Sequence, residues 1–208
     1  ADVDVPSGGA PPSALLRFVA FGRPAENSLV DGTTSKAFRT GGRLWCSGVL
    51  MARAILGDLR SALSGHVVMD FGCGLGLTGI AVATCTDAAA TVMCDVEPGI
   101  IEAARANINY AGAAARASAE VVDLRDHAAL RKLSISRNVS VVLGSDLIYG
   151  VLTSRDVAEA VVAALPHGGR AYFILPALYR SGMSHLNFCS ALVDSGLELL
   201  SANVVDDG

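Results

Sequence analysis

Large aromatic side chains are scarce in this chain: one tryptophan, four tyrosines and six phenylalanines in 208 residues. Its core must therefore close through small aliphatic groups rather than stacked rings. Charge is sparse as well. Charged residues make up 17% and hydrophobic residues 51%, a balance that excludes disorder over most of the length. No run of Lys and Arg occurs and the net charge is −4. A nucleic-acid partner normally needs a basic face, so none is expected. The five cysteines (Cys46, Cys73, Cys85, Cys94, Cys189) include no Cys-x-x-Cys pair. The histidines (His66, His127, His167, His185) lie near no cysteine at ligand spacing. No metal site is expected, and the cysteines read as reduced thiols. No apolar run reaches the roughly 18 residues of a membrane span. The N-terminus lacks a basic stretch followed by an apolar one. A soluble cytoplasmic or nuclear protein is expected, with a monomer favoured and no membrane partner.

What is present is a regular alternation. Residues 1–12 are rich in Gly and Pro and read as a loose arm. Residues 15–21 read as a strand with 35–39 as its hairpin partner, so 1–39 form an N-terminal arm and β-hairpin. The main domain spans 40–208. It opens with a break at Thr40-Gly41-Gly42 and a helix over 44–59 whose apolar stripe has helical spacing. Strands are predicted at 66–71, 91–96, 119–122, 140–144, 170–175 and 197–205. Helices are predicted at 77–84, 98–111, 126–133, 154–165 and 184–195, with Pro98 at a first-turn position that tolerates proline. Strands alternating with helices imply an α/β fold, a doubly wound and mostly parallel sheet with helices on both faces.

In such sheets ligands bind beyond the carboxyl ends of the strands, where the strand order reverses. The chemistry-bearing residues fall there: Asp70 to Gly76, Asp95, Asp123 and Asp146. Glycines at 72, 74 and 76 let the backbone approach a ligand closely, and the following helix points its positive end at it. Two ligands compete for this loop. Gly74 to Gly79 formally matches the dinucleotide fingerprint G-x-G-x-x-G, but its first glycine lies four residues after Asp70 instead of directly after the strand. Starting at Gly72 puts Leu77 where the third glycine belongs. The register favours acid-x-Gly-x-Gly-x-Gly, the form of the first motif in seven-stranded methyltransferases that bind S-adenosyl-L-methionine. Asp95 at the next strand end could bind ribose hydroxyls in either case.

Two further segments narrow this. Thr40-Gly41-Gly42-Arg43-Leu44-Trp45 precedes the first predicted helix, and Ser145-Asp146-Leu147-Ile148-Tyr149 follows the fourth strand of the alternation. With Asp70 through Gly79 between them, the chain resembles the Rossmann-like, class I S-adenosylmethionine-dependent methyltransferases of family 16, which include many protein-lysine methyltransferases. The resemblance runs from about Thr40 to Leu175. It implies that Trp45 packs beside the cofactor, that Gly72 and Gly74 pass beneath its methionine portion, and that Asp95 accepts hydrogen bonds from its ribose. It also implies Asp123 on the adenine amino group, Leu124 against the ring and Ser145 beside the methyl group. Asp70, Cys73 and Val96 complete the cofactor set, and Asp146 and Tyr149 would orient the target amine. The chain departs from the family at Leu124, where tryptophan is common, and at Cys46, where proline is common. The usual seventh strand is not evident. The resemblance implies a methyltransferase acting on a lysine of a protein substrate. Protein histidine or a small molecule as acceptor, and a cofactor-binding module without catalysis, are the alternatives. Loops at 28–39 and 178–183 are expected to select the acceptor.

Overall fold

The computed structural model describes residues 40–149, 151–175 and 185–202. The expected arm, hairpin and acceptor loops at 1–39 and 178–183 lie outside the described residues. The chain enters through helix α1 (Cys46–Leu56) and a single 3₁₀ turn (Ser61–Leu63). It then alternates: β1 (Val67–Phe71), α2 (Leu77–Cys85), β2 (Ala90–Asp95), α3 (Pro98–Tyr110), β3 (Ala117–Val121), α4 (His127–Arg137), β4 (Val139–Ser145), α5 (Ser154–Ala164), β5 (Arg170–Ile174) and α6 (His185–Asp194). No helix among the described residues is long and apolar enough to cross a membrane.

The five strands form one parallel sheet in the order β3-β2-β1-β4-β5. The winding runs outward from β1 to β3, then returns to place β4 on the other side of β1. Right-handed crossovers in opposite directions put helices on opposite faces, and two cores result. Met51 and Ile55 of α1, Ile80 of α2 and Ile101 of α3 pack with Val68 and Leu143 on one face. Leu130, Val157, Val161 and Phe188 pack with Met69, Phe71 and Val142 on the other. Strands covered on both faces read as near-continuous apolar runs, as Val67 to Phe71 and Val139 to Leu143 do.

Small residues make the close packing possible. A Cβ on Gly79 would stand 2.5 Å from Met93 Cγ, so α2 lies tight on β2 only because that position is glycine. Two of the few rings meet at one corner, where Phe173 and Phe188 pack edge to face with centroids 5.1 Å apart, docking α6 on β5.

The strand expected over 197–205 is not formed in its described part, 197–202. Gly196, with φ +85°, turns the chain out of α6, and the Leu197 amide donates to the Leu192 carbonyl at 3.1 Å. That helix-ending bond engages an amide that a strand would have placed in a ladder.

Candidate active site

Between β1 and β4 the strand order reverses, and the cleft beyond their carboxyl ends is the one that topology predicts to bind a ligand. It is partly open to solvent. Its wall brings together eleven of the twelve residues expected at the site: Trp45, Gly72, Cys73, Gly74, Asp95, Val96, Asp123, Leu124, Ser145, Asp146 and Tyr149.

Asp70 is the exception. It is 1% exposed and does not line the cleft. Residues alternate faces along a strand, so Asp70 points with Val68 toward α2. There its Oδ2 accepts a hydrogen bond from the Gly79 amide at 3.1 Å. Asp70 thus lies beneath the glycine loop and ties the strand before it to the helix after it. Burial pushes its carboxyl up to about 7; the Gly79 amide opposes this and Asp95 adds to it.

The loop itself is held by main chain. Gly72, Gly74 and Gly76 have φ of +59°, +52° and +90°, the left-handed region that other residues enter at a cost. A Cβ at Gly72 would overlap the Leu147 side chain, and one at Gly74 would stand 3.0 Å from the Gly41 carbonyl oxygen. The Cys73 amide donates to the Cys94 carbonyl at 2.9 Å. The Gly74 amide donates to Asp95 Oδ2 at 3.2 Å, and the Glu97 amide to Asp95 Oδ1 at 3.1 Å. Burial raises the Asp95 carboxyl above its ordinary value against the pull of these amides. The Cys73 thiol is driven well above its ordinary value by burial and by the neighbouring carboxylates Asp70 and Asp95, so it stays a neutral thiol and not a nucleophile.

Across the cleft, the first turn of α1 lies against the end of β4: a Cβ on Gly48 would be 3.7 Å from Ser145 Oγ. Trp45 stands before that turn with its indole Nε1 donating to the Thr40 carbonyl at 3.0 Å. Asp146 is 8% exposed and has φ +52°, uncommon for a residue with a side chain and a mark of functional sites. Its amide donates to the Ile174 carbonyl at 3.0 Å, which fixes the turn to the end of β5. The Tyr149 hydroxyl is held above its ordinary value by burial, then by Asp95 and Asp146. It is protonated at neutral pH.

Two contributors carry no motif. Asn107, 3% exposed on α3, donates from Nδ2 to the Leu75 carbonyl at 2.9 Å and so braces the glycine loop from below. Its one signal in the sequence is a polar residue inside the apolar stripe of Ile100, Ile101, Ala104 and Ile108. Arg125 lines the cleft after β3 and chelates Asp123, holding that carboxyl below its ordinary value. No cluster of His, Cys, Asp and Glu among the described residues could hold a metal ion.

A family model described as lysine methyltransferase matches residues 29–191. No curated protein matches the chain. Among solved structures, the [4+2]-cyclase SpnF is 15% identical over 74% of this chain and 58% of its own, with a TM-score of 0.58. A putative S-adenosylmethionine-dependent methyltransferase from Streptococcus mutans is 13% identical over 73% and 40%, with a TM-score of 0.56. A geranyl diphosphate methyltransferase in complex with S-adenosylmethionine is 15% identical over 70% and 63%, with a TM-score of 0.55. At these identities the likeness is one of fold, and a fold shared by a cyclase and methyltransferases does not choose a reaction.

Proposed function

This chain belongs to the lysine methyltransferase family of S-adenosyl-L-methionine-dependent methyltransferases, and from that premise we propose that it methylates a lysine side chain of a protein substrate. One observation carries the reading: the glycine loop and the Asp146–Tyr149 pair open into a single cleft. The cleft fits the cofactor on its own terms. Its floor is a loop without side chains at Gly72 and Gly74. Its lining carries three carboxylates, Asp95, Asp123 and Asp146, suited to hydroxyl, amino and ammonium donors.

S-adenosyl-L-methionine supplies an electrophilic methyl carbon on a sulfonium. In this reading Gly72 and Gly74 pass beneath its methionine portion, with Cys73 as a neutral wall. Asp95, its two oxygens already oriented by the Gly74 and Glu97 amides, receives the ribose hydroxyls. Val96 and Leu124 contact the adenine and Asp123 its amino group. Trp45 and Ser145 flank the reacting end; an indole face attracts a cation.

The protein's part in the chemistry is alignment in a dry pocket. A lysine amine must be neutral to attack, and with an ordinary pKa near 10.4 its deprotonation at pH 7 costs about 4–5 kcal/mol. Burial and a neighbouring positive charge both lower that value. Asp146 acts the other way, stabilising the ammonium, so its role is to bind and orient the side chain. The Tyr149 hydroxyl, protonated at neutral pH, bonds the amine while its ring walls the channel.

The test is methyl-labelled cofactor with cell extract, followed by mass spectrometry of the labelled protein. The expected product is methyl-lysine. Asp146→Asn should lower turnover on the order of 100-fold, the scale of a misplaced reactant, with S-adenosyl-L-homocysteine binding retained. Label on histidine, or only on small molecules, would replace the acceptor assignment.

A further inference from the structure

Arg125 stands in the cleft wall but has no counterpart in the motifs that identify the family. It holds Asp123 with three hydrogen bonds. Its amide and its Nε both donate to Oδ1, at 2.9 and 3.0 Å, and its Nη2 donates to Oδ2 at 2.7 Å. A carboxylate has about four acceptor sites, so one site is left, on Oδ2. The guanidinium is thus tied to the end of β3 by its fork on Asp123.

The surroundings give this arrangement a use. Four consecutive residues after β3 line the cleft: Val122, Asp123, Leu124 and Arg125. Leu124, where the family often has tryptophan, is 5% exposed and packs into the core below. Of the four side chains only that of Asp123 can accept a hydrogen bond, and Arg125 decides which of its sites is open.

Resting on the cofactor reading above, we propose that Arg125 is the specificity-determining residue of the adenine end of the cleft. It fixes the Asp123 carboxylate so that the remaining Oδ2 site accepts from the exocyclic amino group. A 6-oxo purine presents an acceptor at that position and is repelled by the fixed carboxylate. Removing Arg125 has two opposed effects. It frees acceptor sites on Asp123, but an amino group with few hydrogens uses little of that gain, and water competes for it at this exposed position. It also leaves a carboxylate that must be ordered on binding. The ordering cost dominates.

The test is calorimetric titration of the whole chain with S-adenosyl-L-homocysteine and with its 6-oxo counterpart, S-inosyl-L-homocysteine. The wild type should prefer the amino compound by about tenfold or more, the scale of a hydrogen bond to a charged group. Arg125→Met should weaken binding of the amino compound by about tenfold and bring the ratio of the two affinities toward one. Arg125→Lys keeps the charge but lacks the fork, so it should fall between. A merely structural role would weaken both compounds equally and leave the ratio unchanged. A wild type that binds neither compound overturns the cofactor reading together with this inference. A wild type that binds, with a ratio unchanged in Arg125→Met and Arg125→Lys, overturns this inference alone.

Discussion

Two carboxylates of the cleft, Asp95 after β2 and Asp123 after β3, are held by opposite means. Asp95 is gripped by the main chain, with the Gly74 amide on one oxygen and the Glu97 amide on the other. Burial raises its carboxyl. Asp123 is gripped at the surface by one residue, through the guanidinium and the amide of Arg125, with 34% of its own side chain and 52% of that of Arg125 exposed, and its carboxyl is lowered. The same contrast extends outward. The β1–β2 end is a knot of amides, turned glycines and a buried Asp70, built into the folding of the sheet. The β3 end is a local clamp laid on a finished fold. Disturbing the first should cost stability, and disturbing the second should cost only recognition.

The strongest test of the first half is Gly72→Ala. The new methyl group would enter Leu147, and the backbone would keep a φ of +59°. Left-handed strain and overpacking together predict a loss of about 2–5 kcal/mol, readable by chemical denaturation. Leu147→Ala carries a cavity cost of its own, but on that background Gly72→Ala should add only the strain and not the overpacking. A Gly72→Ala that costs nothing more on that background would mean that the turn itself is unstrained, and the view of the loop as a strained knot would fail.

A smaller effect tests the buried Asp70. Its carboxyl stands at about 7 against an ordinary 3.8, so the folded protein holds this proton more tightly than the unfolded chain. The Asp70 contribution to stability is then fully present below about pH 4 and is lost as the pH rises through 7. The upper bound over that window is about 4 kcal/mol. Asp70→Asn keeps an oxygen for the Gly79 amide and carries no charge at any pH. Its stability, measured from pH 4 to 8, should therefore gain steadily on the wild type. Parallel curves would show that Asp70 keeps its charge in the folded state.

The same contrast explains what is legible in the sequence. Gly72, Gly74 and Gly76 with their flanking acids are legible because backbone geometry restricts residue type, and a restricted type leaves a pattern. The strands from Val67 to Ile174 are legible because burial on both faces demands unbroken apolar runs. The motif puts Asp70 in the cleft because a motif position says that a residue is needed, not which way it faces; only the packing of α2 over β1 decides that. Arg125 leaves no mark, since an arginine two residues beyond an aspartate in an exposed turn is ordinary. The strand expected at 197–205 is not formed over 197–202. Leu200 is 75% exposed, and the amide of Leu197 is engaged in ending α6, a competition that hydrophobic pattern does not encode.

The smallest effect is the one that would break the comparison most cleanly. Arg125→Met removes an exposed ion pair, and such pairs contribute little to folding because water and salt screen them. The unfolding midpoint of this variant should match the wild type at low and at high salt, while Gly72→Ala lowers it in both. If Arg125→Met instead unfolds early at low salt and recovers none of the difference at high salt, the arginine contributes through packing of its stem, not through charge. The clamp at β3 would then be part of the fold, as the knot at β1 is, and the division between a structural half and a recognition half of the cleft would be lost.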